Sequence, residues 1–401
     1  MTVWTIEPRD PIIFRDGRPF GAWGGARAAS LPFPFPSTIA GGVRTRAFLN
    51  AKGHFDPAAQ GRSLDDVRAL AVRGPFLVEL DEADHIREWL FPAPLDAVAW
   101  ATVRQDRFDI KRLTPLQLPP GVTVNQPADA PHPVGLATPV KGKPSGDAPR
   151  YWRWAALERW LTQAGDWSAV AADEVGHHGP VPEQRTHVGL DPTTLTADEG
   201  RLFQTRGLIF TGRTGDGERR RLALAVHVAG GEGIRPGPAP LGGERRLVHW
   251  RADKQALPAC PKAVSEAVVN AGACRLVLAT PGYFAAGWRP ATETLAAGVT
   301  GLTVTLVGAA VGRAVVVSGW DFERNQAKPT RRLAPAGSVY FLRLEGSPEA
   351  RRAWLDKIWL QPISDDEQAR RDGFGCALVG AWDGQPTLMQ EEQPDATHAK
   401  L

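Results

Sequence analysis

Glycine and proline punctuate this chain from end to end, 42 and 35 of them in 401 residues. A glycine inside a helix costs about 1 kcal/mol relative to alanine, and a proline about 3 kcal/mol. With both spread so evenly, a bundle of long helices is excluded and a loop-rich mixed fold is expected. Short runs between the breakers carry the regular structure. Residues 3–7, 76–80 and 88–91 read as strands, and so do 274–280, 302–306, 313–319, 338–344 and 376–380. Residues 38–49, 150–164 and 350–359 carry apolar positions at helical spacing. This order predicts an α+β fold of two units, each a helix layer on an antiparallel sheet.

The first fifty residues are the most unusual part. A strand leads through Phe14-Arg15-Asp16-Gly17-Arg18 and a glycine-rich loop to Pro32, Pro34 and Pro36, then to Ser37-Thr38-Ile39-Ala40-Gly41-Gly42-Val43-Arg44-Thr45-Arg46. Ser37 is expected to cap the helix, its hydroxyl accepting from a free N–H of the first turn. Adjacent glycines inside a helix imply that something approaches it closely, either a packed sheet or a phosphate backbone near the N-terminus. Residues 113–149 hold nine prolines and little periodicity, and read as an extended excursion that wraps a neighbour or awaits a partner. Residues 204–211 and 221–228 read as the arms of a projecting β-hairpin turning through 212–217. The tail from 391 to 401 reads as disordered.

Overall charge decides little, because a net +3 neither demands nor excludes nucleic acid. Local clustering is more telling. Between Arg206 and Arg251 nine arginines stand against four acidic residues, and between Arg324 and Arg352 seven basic residues stand against two glutamates. A third surplus gathers Arg9, Arg15, Arg18, Arg27, Arg44 and Arg46. Guanidinium groups suit bidentate phosphate contact and base stacking, so three such surpluses in a near-neutral chain point to a polyanion track. The Gly373-Phe374-Gly375 turn is a candidate phosphate contact through backbone N–H groups, and it lacks the P-loop and dinucleotide signatures. His54, His177 and His187 are the only candidates for acid–base chemistry, and none sits in a catalytic pattern. A metal site from Glu174, His177, His178 and His187 would match no known ligand spacing. Cys260, Cys274 and Cys376 form no C-x-x-C pair, which argues against disulfides and cysteine-bound zinc. With no signal-peptide pattern and no apolar run of spanning length, a cytoplasmic protein is expected.

Several ordered motifs resemble one family. They are Ile6-Glu7-Pro8 through Asp16-Gly17-Arg18-Pro19-Phe20 to Pro36-Ser37-Thr38, Arg185-Thr186-His187-Val188-Gly189-Leu190-Asp191, and Leu241-Gly242-Gly243-Glu244-Arg245-Arg246. Gly287-Trp288-Arg289-Pro290, Ser318-Gly319-Trp320-Asp321 running to Lys328-Pro329-Thr330-Arg331, and Gly373–Gly375 continue the set. Together they resemble the RAMP subunit that caps the crRNA 5′ end in type III-B CRISPR effectors, the third subunit of the Cmr complex. The resemblance implies two ferredoxin-like (RRM-like) domains with long inserted loops, no cofactor and no catalytic activity. The expected domains are 1–175, holding the proline-rich insertion, and 176–390, holding the hairpin and glycine loop. The implied partners are the crRNA 5′ handle, the large polymerase/cyclase-like subunit and a backbone RAMP subunit. Carried onto this chain by charge and spacing, the RNA contacts expected are Arg15, Arg18, Ser37, Thr38, Arg44, Arg46, Arg185, His187, Arg206, Arg245, Arg246, Lys328, Arg331, Arg332 and Gly373, Phe374 and Gly375. No metal ligand is expected. The alternative is a RAMP endoribonuclease acting on crRNA precursors through one of the three histidines.

Overall fold

Alternation in the apolar strands places successive side chains on opposite sheet faces, and here both faces are covered. The computed structural model describes residues 2–15, 27–104, 106–127, 130–213, 219–321 and 325–390. Its larger sheet is antiparallel throughout. Edge to edge it runs Gly176–His177, Tyr151–Arg153, Ile86–Pro92, Val72–Leu80, Arg219–Val228, Thr2–Pro8, Leu247–Asp253 and Gly237–Pro240. On one face Trp4, Ile6, Leu77, Leu224 and Trp250 pack against Ile39 and Val43 of the Pro36–Ala47 helix. On the other, Val3, Phe76, Val78, Ala223 and Ala225 join a core shared with the second sheet.

That second sheet is four-stranded and antiparallel, in the order Thr303–Ala310, Val339–Glu345, Ala273–Leu278 and Ala377–Ala381. Counted along the chain, this is second, third, first, fourth. The larger sheet contains the same order at its centre, with Thr2–Pro8 first, Val72–Leu80 second, Arg219–Val228 third and Leu247–Asp253 fourth. Helices fill the expected crossovers, Pro36–Ala47 in the first set and Thr292–Ala296 and Pro348–Ile358 in the second. Residues 229–246 replace the first set's second helix with a loop and the short Gly237–Pro240 strand. The expected boundary at 175 falls inside the larger sheet, whose last two central strands lie beyond it.

Several local expectations are corrected. The first helix is Pro36–Ala47, not 38–49. Phe35 stands at its N-cap with no side-chain cap, and Ser37 lies inside the first turn. Pro36 explains this, since its fixed φ and missing N–H suit the first helical position. The helix expected over 150–164 is shortened to Trp154–Thr162, because Tyr151–Arg153 pairs with Leu90–Pro92 residue by residue. The arms expected at 204–211 and 221–228 do not pair as a long hairpin. Thr211–Arg213 pairs only with the start of Arg219–Val228, whose remainder is a central strand of the larger sheet. Of the expected 212–217 turn, residues 214–217 lie outside the described residues, as does the 391–401 tail. The long ribbon is instead Val181–Leu190 with Ala197–Ile209, flanked by a parallel Arg27–Ala29 strand. The proline-rich excursion is laid over the second sheet: His132 N–H donates to the Val307 carbonyl at 2.7 Å, and Thr387–Leu388 pairs in parallel with Leu116 and Gln117.

Candidate nucleic-acid interface

The arginines that looked alike in sequence divide into two groups by what their guanidinium groups already hold. Around Glu7, Arg221 approaches to 2.6 Å and Arg251 to 2.8 Å, and both also pair with Asp84. Burial would raise the Glu7 carboxyl, but the bonds from Arg251 and Arg221 hold it below the usual carboxylate range. Glu79, 1% exposed, is bracketed by Arg87 at 2.5 Å and Arg153 at 3.2 Å. Arg44 pairs with Asp372 at 2.6 Å and donates to the Leu70 and Arg371 carbonyls, so it ties the first helix to Glu367–Asp372. Arg46 donates to the Arg235 and Pro236 carbonyls. These groups are spent on the fold. Arg44 and Arg46 were among the expected contacts.

A second group faces outward. Arg150, Arg206, Arg245 and Arg332 are exposed, and their side chains make no ion pair or hydrogen bond among the described residues. The fold brings Arg15, Arg206, Arg245 and Arg246 to one region by pairing their neighbours. Ile12 bridges Leu208, Ile13 bridges Gly243, and Arg15 bridges Ser30. Arg206 also accepts the Ser30 N–H through its carbonyl at 3.1 Å. The turn carrying Arg245 is tight, with Glu244 and Arg245 both left-handed at φ 58° and 49°. Arg246 has a buried Nε without a partner. Arg18 lies outside the described residues.

Beside this region a cleft of about 450 Å³ opens between the two sheets. The proline ladder from Leu31 to Pro36 forms one wall, Phe76 and Leu77 line it from the larger sheet, Ala279 and Thr280 from just past Ala273–Leu278, and Arg150, His178 and Arg206 supply charged and imidazole groups. Phe33 and Tyr151 meet with ring centroids 5.6 Å apart. Burial pushes the Tyr151 phenol up, so it stays a neutral hydroxyl. Thr38 is exposed in the first turn of the adjoining helix and Ser37 half-buried. Arg150 and Tyr151 were not singled out in sequence, where their one signal was an Arg-Tyr pair directly after the proline-rich stretch, and His178 was named only as a metal candidate.

The glycine loop is not available in the way expected. Gly373, Phe374 and Gly375 donate their N–H groups to the Arg370, Ala369 and Pro281 carbonyls at 3.0, 2.9 and 2.8 Å. A Cβ on Gly373, whose φ is 95°, would lie 2.6 Å from the Gly74 carbonyl oxygen. The glycine is there for close packing against the larger sheet. Phe374, 5% exposed, packs with Phe35, Val317, Leu333 and Ala369. Nearby, Arg331 lies 4.4 Å over the Tyr283 ring and 3.4 Å from Asp366, while Lys328 is exposed. Arg185 pairs with Glu183 on the ribbon at 2.8 Å.

The histidines are scattered over separate elements. His187 bonds Thr205 Oγ1 at 2.9 Å and stacks on Phe203, while His54 lies in the exposed loop after the first helix. His177 accepts the Gly179 N–H through Nδ1, and burial with the nearby Arg220 and Arg153 charges pushes it down to about 3. A neutral imidazole at that value is no proton donor near pH 7. Among the described residues no cluster of three or more His, Cys, Asp or Glu groups could hold a metal ion. Among them too, no helix is long and apolar enough to cross a membrane.

Residues 4–382 match the family model for CRISPR-associated protein (Cas_Cmr3). The chain belongs to that family. Cas_Cmr3 membership bears out the resemblance to the third Cmr subunit, across both sheets and the interface between them. Two chains from cryo-EM structures of the type III-B Cmr-beta complex bound to cognate target RNA are similar to this Cas_Cmr3 chain, each at 15% identity. One covers 97% of this chain and 99% of its own with a TM-score of 0.49. The other, also bound to AMPPnP, covers 89% and 88% with a TM-score of 0.46. A chain of the Csm3–Csm4 subcomplex of a type III-A interference complex is 9% identical, covering 86% of this chain and 94% of its own at a TM-score of 0.37. No curated protein sequence matches the chain.

Proposed function

We propose that this Cas_Cmr3-family chain is a non-catalytic RNA-binding subunit of a type III-B CRISPR effector, holding the crRNA 5′ handle and joining the large polymerase/cyclase-like subunit to a backbone RAMP subunit. The observation that carries the RNA contact is the cleft between the sheets, bordered by arginines with no internal partner. Such groups have no carboxylate competing with phosphate for their donors, whereas the arginines around Glu7 and Glu79 are already engaged by acids. The second-third-first-fourth strand order, repeated in both sheets, supports reading the two units as ferredoxin-like domains. On that reading the first domain comprises residues 2–253 with a large insertion between its second and third strands. The second begins at about residue 262.

The test is RNA binding by the chain assembled with its partner subunits and a crRNA. Changing Arg150 and Arg206 together to alanine should weaken handle binding and flatten its salt dependence. On a single strand the log–log slope should fall by about 0.7 for each phosphate no longer neutralised. An unchanged affinity and slope would remove the cleft from the RNA path. Crosslinks from the handle to peptides carrying Arg150, Arg206 or Arg245 are the matching positive result.

A further inference from the structure

A second cavity, also of about 450 Å³, lies on the smaller sheet and shares no lining residue with the cleft. Ala309, Val311, Ala314, Leu333 and Ala334 give it apolar walls, with Trp288 and Arg332 at its border. Trp288 is 43% exposed, unusual for the largest apolar side chain when buried cores are available to it. Its backbone is held firmly. The Tyr340 hydroxyl, from a central strand of the sheet, donates to the Trp288 carbonyl at 2.7 Å, and Phe284 and Ala286 bridge Gly287 and Arg289 around it. Arg289, Arg313 and Arg332 are all exposed, and none of the three pairs with an acid among the described residues.

We propose that this cavity binds an unpaired nucleotide of single-stranded RNA, its base stacked on Trp288 and its phosphates met by Arg332 with Arg289 and Arg313. This rests on the RNA-binding reading above and extends it to a separate site. An exposed indole face on a rigid turn is a sequence-tolerant stacking platform, because every base has a π-face. The volume falls in the range of small-ligand sites, and the positive rim without matching acids selects an anion. A neutral apolar occupant would leave that charge unanswered.

The experiment measures binding of a labelled single-stranded RNA to the full chain, native and with Trp288→Ala, Trp288→Phe, Arg332→Ala, or Arg150 and Arg206 both changed to alanine. Trp288→Ala should weaken binding roughly 10- to 100-fold, the loss of one base stack, and Trp288→Phe should restore most of it. A photoreactive uridine in the RNA should crosslink to the Trp288 peptide. Native affinity in Trp288→Ala, alongside weakened binding in the Arg150/Arg206 variant, would overturn this site and leave the cleft standing. The reverse pattern would support this site and overturn the cleft. RNA affinity unmoved by any of these changes, or displaced equally by polyglutamate at matched charge, would overturn both.

Discussion

His177 shows how one buried side chain sets a solution property. It is 7% exposed, its Nδ1 accepts the Gly179 N–H, and its Nε2 is buried without a partner. Burial first, then the charges of Arg220 and Arg153, push it down from an ordinary 6.5 to about 3. The unfolded chain therefore takes up a proton as pH falls through 6.5, whereas the folded chain resists until about 3. Stability is lost across that window as pH falls. Between pH 7 and pH 5 the loss from this residue should be about 2 kcal/mol, read from urea unfolding at each pH. His177→Gln, which cannot titrate, should flatten that slope. Some slope remains from His227, which burial and Arg73 push down to about 4. An identical slope in the variant would show that His177 is not the titrating group. The His177-His178 pair was visible in sequence as a metal or acid–base candidate, but its burial among arginines was not, because those come from distant strands.

At the scale of elements, the Pro36–Ala47 helix separates what is local from what is not. Its apolar face, with Ile39 and Val43, was legible from spacing, and so was the prediction that Gly41-Gly42 admits a close neighbour. The neighbour is specific to one glycine. A Cβ on Gly42 would sit 2.7 Å from Leu241 Cδ1 and 3.8 Å from the Trp250 ring, while nothing lies within 4 Å of one on Gly41. Gly41→Ala should therefore stabilise the protein by about 0.5–1 kcal/mol, the helix-interior cost of glycine, seen as a higher melting temperature. Gly42→Ala should be neutral or destabilising. Equal gains from both would mean that Leu241 moves aside freely. The Arg219–Val228 strand is the contrary case. Its alternation is correct, but partner choice in a sheet is non-local, and Thr2–Pro8 and Val72–Leu80 claim its two edges.

At the scale of the whole molecule, the two sheets are locked by a buried charge. Asp96, in the loop after Ile86–Pro92, is fully buried and bonds Arg275 of the smaller sheet at 2.6 Å and the Trp160 indole at 2.9 Å. Arg275 also donates to the Trp160 and Ala381 carbonyls, and Arg112 lies 3.6 Å over the Trp160 ring. Asp96→Ala leaves a guanidinium that is 1% exposed without its counter-charge. The cost should be about 3–5 kcal/mol, read as a lower urea midpoint. A loss under about 1 kcal/mol would indicate that water or Arg275 relaxation replaces the pair. The same change is expected also to weaken RNA binding in the assembled complex, where the cleft between the sheets is the proposed contact.

From the sequence alone came the mixed α+β class, most of the central strands of the two sheets though few of the peripheral ones, the family, and the arginine surpluses, because these rest on local periodicity, breaker placement and ordered motifs. The tertiary structure decided which arginines are spent and which are available. Arg44 and Arg206 are indistinguishable as letters, yet one is bound to Asp372 across 328 residues and the other faces a cleft without a partner. It also turned the glycine loop from an expected phosphate cradle into a packing joint: the Gly373 and Phe374 N–H groups cap the helix just before them, and the Gly375 N–H reaches the distant Pro281 carbonyl. The physical reason for the long-range part is common to both cases. A side chain's charge and donors are set by its covalent structure, but whether they are already satisfied depends on which distant segments the fold brings within 3 Å.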